Sequence, residues 1–238
     1  MRFDVVTLFP ECFGAVAVSK IWQNAIDSKK LSLHLHQLRN FSTNKHKTVD
    51  DTPYGGGAGM LLQIEPLVAA IESIPRLEKS QVWLMSPQGH VWEQDRAVSA
   101  HADLQQIILV CGRYEGVDER FIEGWVDQCI SIGNYVLSGG ELAAMVVMES
   151  VSRVVPGVVG DAMSVSEDSI QSGGLKYPQF TRPREFRGMM VPEVLLQGDH
   201  QKIAKWREKQ AHFRTLQNRP DLLKEQNILP TEVKGKTK

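Results

Sequence analysis

The sequence predicts an α/β protein: a mainly parallel sheet with helices on its faces, followed by a small helical domain. Three observations lead there. Short apolar, β-branched runs alternate with segments of helical periodicity through the first three-quarters of the chain. Three glycine-bearing loops each follow one of those runs. Beyond about residue 176, strand formers become scarce and helical patterns with basic faces take over.

Phe3–Phe9 is a β-branched, apolar run stopped by Pro10, and reads as the first strand. Leu31-Ser32-Leu33-His34-Leu35-His36 alternates strictly, which marks a strand with one wet face. Gln81–Met85 and Ile107–Cys111 are continuous apolar runs, as strands covered on both sides require. Gln128–Ile132 and Tyr135–Leu137 follow as two more strands. Helical patterns cover residues 15–29, 65–77, 91–102 and 140–154. Residues 156–187 break the alternation with Pro156-Gly157, Ser172-Gly173-Gly174 and Arg182-Pro183. A loop that long is a linker or a functional lid. Its few apolar anchors over 156–175 predict disorder without ligand. Residues 199–217 and 220–227 then read as helices, with Trp206, Phe213 and Leu216 as a small core.

The 238 residues are 42% hydrophobic and 23% charged, which is ordinary for a globular chain and excludes disorder of the whole. No apolar run approaches about 18 residues, so no membrane span is expected. The first residues lack the basic and apolar regions of a secretory signal. Cys12, Cys111 and Cys129 are odd in number and far apart, which suits reduced thiols in the cytoplasm. The net charge of −1 is unevenly spread. Residues 176–238 carry 14 Lys and Arg against 7 Asp and Glu, net +7, while residues 1–175 carry 13 against 21, net −8. A basic tail on an acidic body fits a polyanionic partner, and fits a merely solvated basic surface equally well.

The loops carry the chemistry. They are Ser86-Pro87-Gln88-Gly89, Gly112-Arg113-Tyr114-Glu115-Gly116 and Gly133-Asn134-Tyr135-Val136-Leu137-Ser138-Gly139-Gly140. In open α/β sheets, ligands bind outside the carboxyl ends of the strands, where glycine lets the backbone approach them. No P-loop pattern and no G-x-G-x-x-G after the first strand is present, so phosphate-anchored nucleotide sites are not expected. Tyr54-Gly55-Gly56-Gly57-Ala58-Gly59 is glycine-rich but follows a polar, basic stretch. A nucleoside held by its ring and amide edges, such as S-adenosylmethionine, fits this pattern better. The histidines show no metal-ligand spacing: His34 and His36 share a strand face, and His90 has no supporting spacing for a general base. No metal site is expected. No Cys-x-x-Cys and no G-x-S-x-G elbow occurs.

These loops, together with Thr48-Val49-Asp50-Asp51, Tyr54-Gly55-Gly56-Gly57, Ile132 through Glu141 and Tyr177-Pro178-Gln179-Phe180-Thr181-Arg182-Pro183, closely resemble the bacterial tRNA (guanine-N1-)-methyltransferase family. The resemblance runs from Phe3 to about Leu223. It implies a SPOUT-type α/β domain over residues 1–158 whose C-terminal part forms a trefoil knot, a flexible linker over 159–175, and a basic helical tRNA-binding domain over 176–238. Periodicity alone would not have revealed a knot. The resemblance also implies that the three loops hold S-adenosylmethionine through Leu84, Pro87, Gln88 and Gly89, through Gly112, Tyr114 and Glu115, and through Ile132, Gly133, Asn134, Tyr135, Val136, Leu137, Gly139 and Gly140.

The implied product is 1-methylguanosine at tRNA position 37, just 3′ of the anticodon, made by a homodimer whose sites draw on both subunits. Asp168 matches the family's catalytic aspartate and Arg153 its partner arginine. A carboxylate can remove the proton of guanine N1, and a guanidinium can hold the charge left on O6. Glu115 would steady the sulfonium or, more plainly, cap a helix starting near Val117. Asp50, in a loop spanning 45–52, and the basic residues Arg182, Lys205, Arg207 and Arg214 are the implied RNA contacts. Magnesium enters as an assisting ion. The chain departs from the family at Asn134, usually Asp, at Ala143, often Pro, and at Lys176, where an acid is frequent. The competing readings are a non-catalytic RNA-binding protein of this fold and a SPOUT methyltransferase with another RNA target.

Overall fold

The computed structural model describes residues 1–159, 169–170 and 173–225. The chain divides into two compact units, Met1–Ala162 and Met163–Lys238. The first unit is built on strands β1 (Arg2–Thr7), β2 (Ser32–Gln37), β3 (Asp50–Asp51), β4 (Leu61–Leu62), β5 (Ser80–Val91), β6 (Gln106–Cys111) and β7 (Gln128–Ser131). Its helices are α1 (Gly14–Ala17), α2 (Lys20–Asp27), α3 (Ile64–Ser73), α4 (Gln94–Asp103), α5 (Glu119–Trp125) and α6 (Glu141–Val154).

Five strands form one parallel sheet in the order β2-β1-β6-β5-β7. Parallel neighbours need crossovers, and the helices between the strands supply them. Alternate side chains of each strand then enter two separate cores. Phe3, Val5, Trp83, Met85, Ile107 and Leu109 pack with Trp22 of α2, Ala97 of α4 and Val147 and Met148 of α6. Val6, Val82, Leu84, Ile108 and Val110 pack with Leu67 and Ile71 of α3 and Phe121 of α5. This two-sided burial explains why β6 is apolar from Ile107 to Cys111, with every residue from Gln106 to Cys111 buried. Each fully buried large apolar side chain contributes roughly 1.5–3 kcal/mol of transfer free energy.

Several expectations need correction. The expected helix over 15–29 is two helices, α1 and α2, separated at Val18-Ser19. Tyr135–Leu137 forms no strand. Its first amide bonds the Gly133 carbonyl at 2.9 Å in a tight turn, and Val136 is 85% exposed, so no neighbouring strand pairs with it. The strand expected to end at Met85 resumes after a detour: Met85 and His90 both face Ile130, and the residues between them are thrown out of the ladder. The antiparallel pair β3–β4, which brackets the Tyr54–Gly59 loop, was not foreseen because each strand is only two residues long. His36 is not simply a wet strand residue, since it bonds the buried Asp4 at 2.9 Å across the sheet.

The second unit contains β8 (Glu185–Phe186) and β9 (Met189–Met190), an antiparallel hairpin, and helices α7 (His200–Asn218) and α8 (Asp221–Glu225). Thr215 of α7 is buried; its hydroxyl donates to the Ala211 carbonyl at 2.7 Å and accepts from the Leu175 amide at 2.8 Å. Trp206 packs against Phe180, with ring centroids 6.4 Å apart. Phe213 and Leu216, read above as core, are 59% and 55% exposed. A helix covered along one stripe buries only that stripe, and these two residues lie outside it. Of the segment expected to be a linker, residues 160–168 and 171–172 lie outside the described residues, and the expected disorder falls largely there.

Candidate active site

Parallel strands deliver all their carboxyl ends to one edge of the sheet, so the loops after β5, β6 and β7 start side by side. Met85 is opposite Cys111 on one flank and Ile130 on the other. The three loops enclose a cavity of about 310 Å³, lined by Leu84, Pro87, Gln88, Gly112, Tyr114, Glu115, Ile132, Gly133, Tyr135, Val136, Leu137, Gly139 and Gly140. Gly89 and Asn134, grouped with them in the sequence, do not line it. A Cβ on Gly89 would run into the backbone of Cys129 and Ile130, so this glycine serves close chain packing. Asn134 is an exposed loop residue. Sequence reasoning missed Met85, Ser86, Arg113, Glu119, Ile122 and Ser138, which also line the cavity. Met85 and Ile122 carry only a core signal, whereas Arg113 stood inside a loop already singled out.

Gly140 closes the back of the site. Its amide donates to the Gly112 carbonyl at 2.9 Å. A Cβ there would sit 2.8 Å from the Cys111 Cα and 2.9 Å from the Met85 Cβ, so no larger residue fits without moving strand ends.

A buried polar network ties the loops together. Glu141, at the first turn of α6, is 3% exposed. It accepts from the Thr7 hydroxyl at 2.8 Å and from Arg113 Nε at 3.1 Å. Arg113 also donates to the Ser138 carbonyl at 3.1 Å and lies over the Phe9 ring, 4.4 Å from its centroid. The carboxylate gains from the helix N-terminus as well as from the guanidinium. Burial pushes the Cys111 thiol well above its ordinary range, and the neighbouring Glu141 charge adds to this, so it stays protonated and inert.

The β3–β4 pair is sutured to the rim. The Glu115 amide donates to the Met60 carbonyl at 3.0 Å, and the Leu62 amide to the Gly116 carbonyl at 3.0 Å. Tyr114 takes a left-handed backbone conformation, φ 59°, and its hydroxyl donates to Asp50 at 3.4 Å. Asp50 thus stands beside a cavity-lining residue.

The remaining expected residues are placed differently. Arg153 is exposed in the last turn of α6, at the opposite end of the helix from Gly140, roughly 20 Å along the axis. It does not line the cavity. Asp168 lies outside the described residues. In the second unit Arg182 is exposed, Arg207 covers the Tyr177 ring at 4.7 Å, and Arg214 donates to the Lys176 carbonyl at 3.3 Å. Lys205 is exposed about 200° around α7 from Arg207, so these cations do not share one helix face. Among the described residues no group of three or more His, Cys, Asp or Glu is arranged to hold a metal ion. No helix among them is long and apolar enough to cross a membrane.

Comparison with known proteins matches this chain to a family. The family model described as tRNA (Guanine-1)-methyltransferase TrmD matches residues 1–225. A Pelotomaculum thermopropionicum protein named tRNA (guanine-N(1)-)-methyltransferase is 51% identical, over 96% of this chain and 92% of its own. Proteins of the same name from Brevibacillus brevis and Geobacter metallireducens are 50% and 46% identical, over 98% and 94% of this chain and 96% and 91% of theirs. A parallel α/β sheet with three converging loops, matched at this identity over nearly the whole length, places the chain in the tRNA (Guanine-1)-methyltransferase TrmD family.

Proposed function

We propose that the chain transfers a methyl group from S-adenosylmethionine to N1 of the guanosine at position 37 of tRNA. The observation that carries this reading is the cavity formed where the three loops meet in a member of this family. Its lining suits the cofactor. Leu84, Ile132 and Leu137 offer apolar surface for a purine, and the glycines of the lining let the backbone come close to a ligand. The volume lies in the range of small-molecule sites. The bound cofactor supplies a methyl group on a sulfonium, which leaves as a neutral thioether.

The chain's own residues prepare the nucleophile. Guanine N1 carries a proton and is a poor nucleophile until it is lost. Asp168 takes that proton, an assistance typically worth ~10²–10⁴ in rate. Arg153 holds the negative charge that develops on O6. Holding both substrates in one site supplies proximity, and the target base leaves its stack to enter. Glu115 lines the cavity, where its carboxylate would steady the sulfonium of a bound cofactor. Asp50, Arg182, Lys205, Arg207 and Arg214 contact the RNA, and the basic second unit binds its phosphates.

The position of Arg153 at the far end of α6 supports a homodimer in which one copy completes the other's site. Leu142 and Val146, on one face of that helix and 59% and 47% exposed, support the same reading. The knotted SPOUT topology belongs to this reading through the family. The division into domains at 1–158 and 176–238, joined by a linker over 159–175, belongs to this reading, as does residence in the cytoplasm with the tRNA. Magnesium belongs to this reading as an assisting ion, and no residue is named as its ligand. The test is methyl transfer from labelled S-adenosylmethionine to a tRNA transcript with guanosine at position 37. We expect 1-methylguanosine at that position and none when it is adenosine. Another nucleoside, or no product, overturns the reading.

A further inference from the structure

The Tyr54–Gly59 loop takes no part in the chemistry above, yet both of its ends rest on the cavity rim. At the leading end, Asp50 accepts from the Tyr114 hydroxyl at 3.4 Å. At the trailing end, Gly59 abuts the Glu115 side chain so closely that a Cβ would lie 2.9 Å from its Cδ. Tyr114 and Glu115 are consecutive residues and both line the cavity. Between these two feet the loop projects into solvent, and Tyr54 is 101% exposed.

The loop's backbone explains how it holds that shape. Gly55, Gly56 and Gly57 have φ of +84°, +76° and +128°, a region other residues adopt only under strain. Nothing lies within 4 Å of a Cβ built on Gly55 or Gly56, so their glycine is required by the backbone and not by crowding. The Gly56 amide closes a turn on the Pro53 carbonyl at 3.2 Å. A large aromatic ring left wholly in water, on a loop tied at both ends to the cavity rim, is a surface in want of a flat partner.

We propose that Tyr54 is a positioning residue: its ring stacks on a nucleobase of the RNA substrate and holds the target guanosine at the mouth of the cavity. This rests on the RNA-methyltransferase reading and deepens it. Every base presents a π-face, so one exposed ring on a loop anchored to the rim supports a strand whose target base has been drawn out of its stack. A protein surface or the cofactor's own adenine are the rival partners for the ring, and the test separates them.

The test compares wild type, Tyr54→Ala and Tyr54→Phe in methyl transfer to tRNA, alongside calorimetric binding of S-adenosylmethionine. Loss of one stack weakens binding by about tenfold. Tyr54→Ala is therefore expected to raise KM for tRNA about tenfold, with cofactor affinity and Tm unchanged, and Tyr54→Phe to restore the wild-type KM. An unchanged KM in Tyr54→Ala overturns the proposal. So does a Tyr54→Phe variant as poor as Tyr54→Ala, which would make the hydroxyl and not the ring the active group. Weakened cofactor binding in Tyr54→Ala overturns it in favour of a cofactor contact. If the wild-type chain itself forms no product, the methyltransferase reading fails and this proposal falls with it; a productive wild type isolates the Tyr54 question.

Discussion

Arg113 and Glu141, 28 positions apart, meet at 3.1 Å where the loop after β6 touches the start of α6. The carboxylate side chain is 4% exposed and the guanidinium 23%. The pair therefore joins two of the three loops around the cavity in a setting where water competes weakly. Removing one partner of a buried pair strands the other, which costs more than the pair itself is worth.

Arg113→Ala leaves Glu141 buried with only the Thr7 hydroxyl as a side-chain donor. We expect a loss of about 3 kcal/mol in urea unfolding. Glu141→Gln removes the charge, keeps an acceptor for Thr7 and leaves Arg113 able to reach solvent, so it should cost about 1–2 kcal/mol. Equal losses in the two variants would show that stranding the buried carboxylate is not what destabilises the protein most.

Gly140→Ala places a methyl group against the Cys111 backbone and the Met85 Cβ, whose strands are held in the parallel ladder. Overpacking of this kind costs about 1–3 kcal/mol. The strain falls on the floor of the cavity, so calorimetry should show cofactor affinity reduced roughly tenfold or more. Wild-type affinity in this variant would mean the loops yield more readily than their hydrogen bonds suggest.

Asp4 predicts an acid limb in the stability profile. Burial alone would raise its carboxyl, but hydrogen bonds from His36, Arg2 and Gln106 outweigh burial and hold it well below the usual carboxylate range. The group binds its proton more weakly folded than unfolded, so its contribution is fully present above about pH 4 and fades as pH falls below it. Urea midpoints at pH 7, 5 and 3 should decline steeply in wild type between 5 and 3. Asp4→Asn should be less stable at pH 7 and flatter across the same interval. Parallel curves for the two proteins would show that Asp4 does not set the acid limb.

Asp168→Ala should lose about 10²–10⁴ in turnover while binding S-adenosylmethionine normally. If each site draws on two copies, mixing this variant with Gly140→Ala should recover part of the lost turnover, because a mixed dimer contains one intact cavity served by one intact aspartate. Mixtures no more active than their components would argue that each copy works alone.

How much of this was legible in advance follows from the range of the forces involved. The runs at Ile107–Cys111 and Gln81–Met85 announced buried strands because an apolar stretch of that length has few other fates. The helix over 140–154 announced itself by periodicity, and its observed bounds differ by one residue at the start. The antiparallel pair around the Tyr54 loop escaped notice because two-residue strands carry no period to read. Phe213 and Leu216 were misjudged for a related reason. Their spacing fits a helix, but which stripe is covered depends on the chain laid against it, here the segment holding Leu175 and Phe180.

From residue order alone, this protein was determined to be an α/β chain with three glycine loops after three strands, and its motifs pointed to its family. Propensity and period act over a few residues, and a contiguous motif is legible without any knowledge of the fold. Only the tertiary structure decided that those loops share one cavity, that Gly89 and Asn134 stand outside it, and that Thr7 meets Glu141 across 134 positions. It likewise decided that Asp4 finds His36 and Gln106, 32 and 102 positions away. Such contacts follow from strand order, which is set by the burial of both sheet faces at once and leaves no local trace in the sequence.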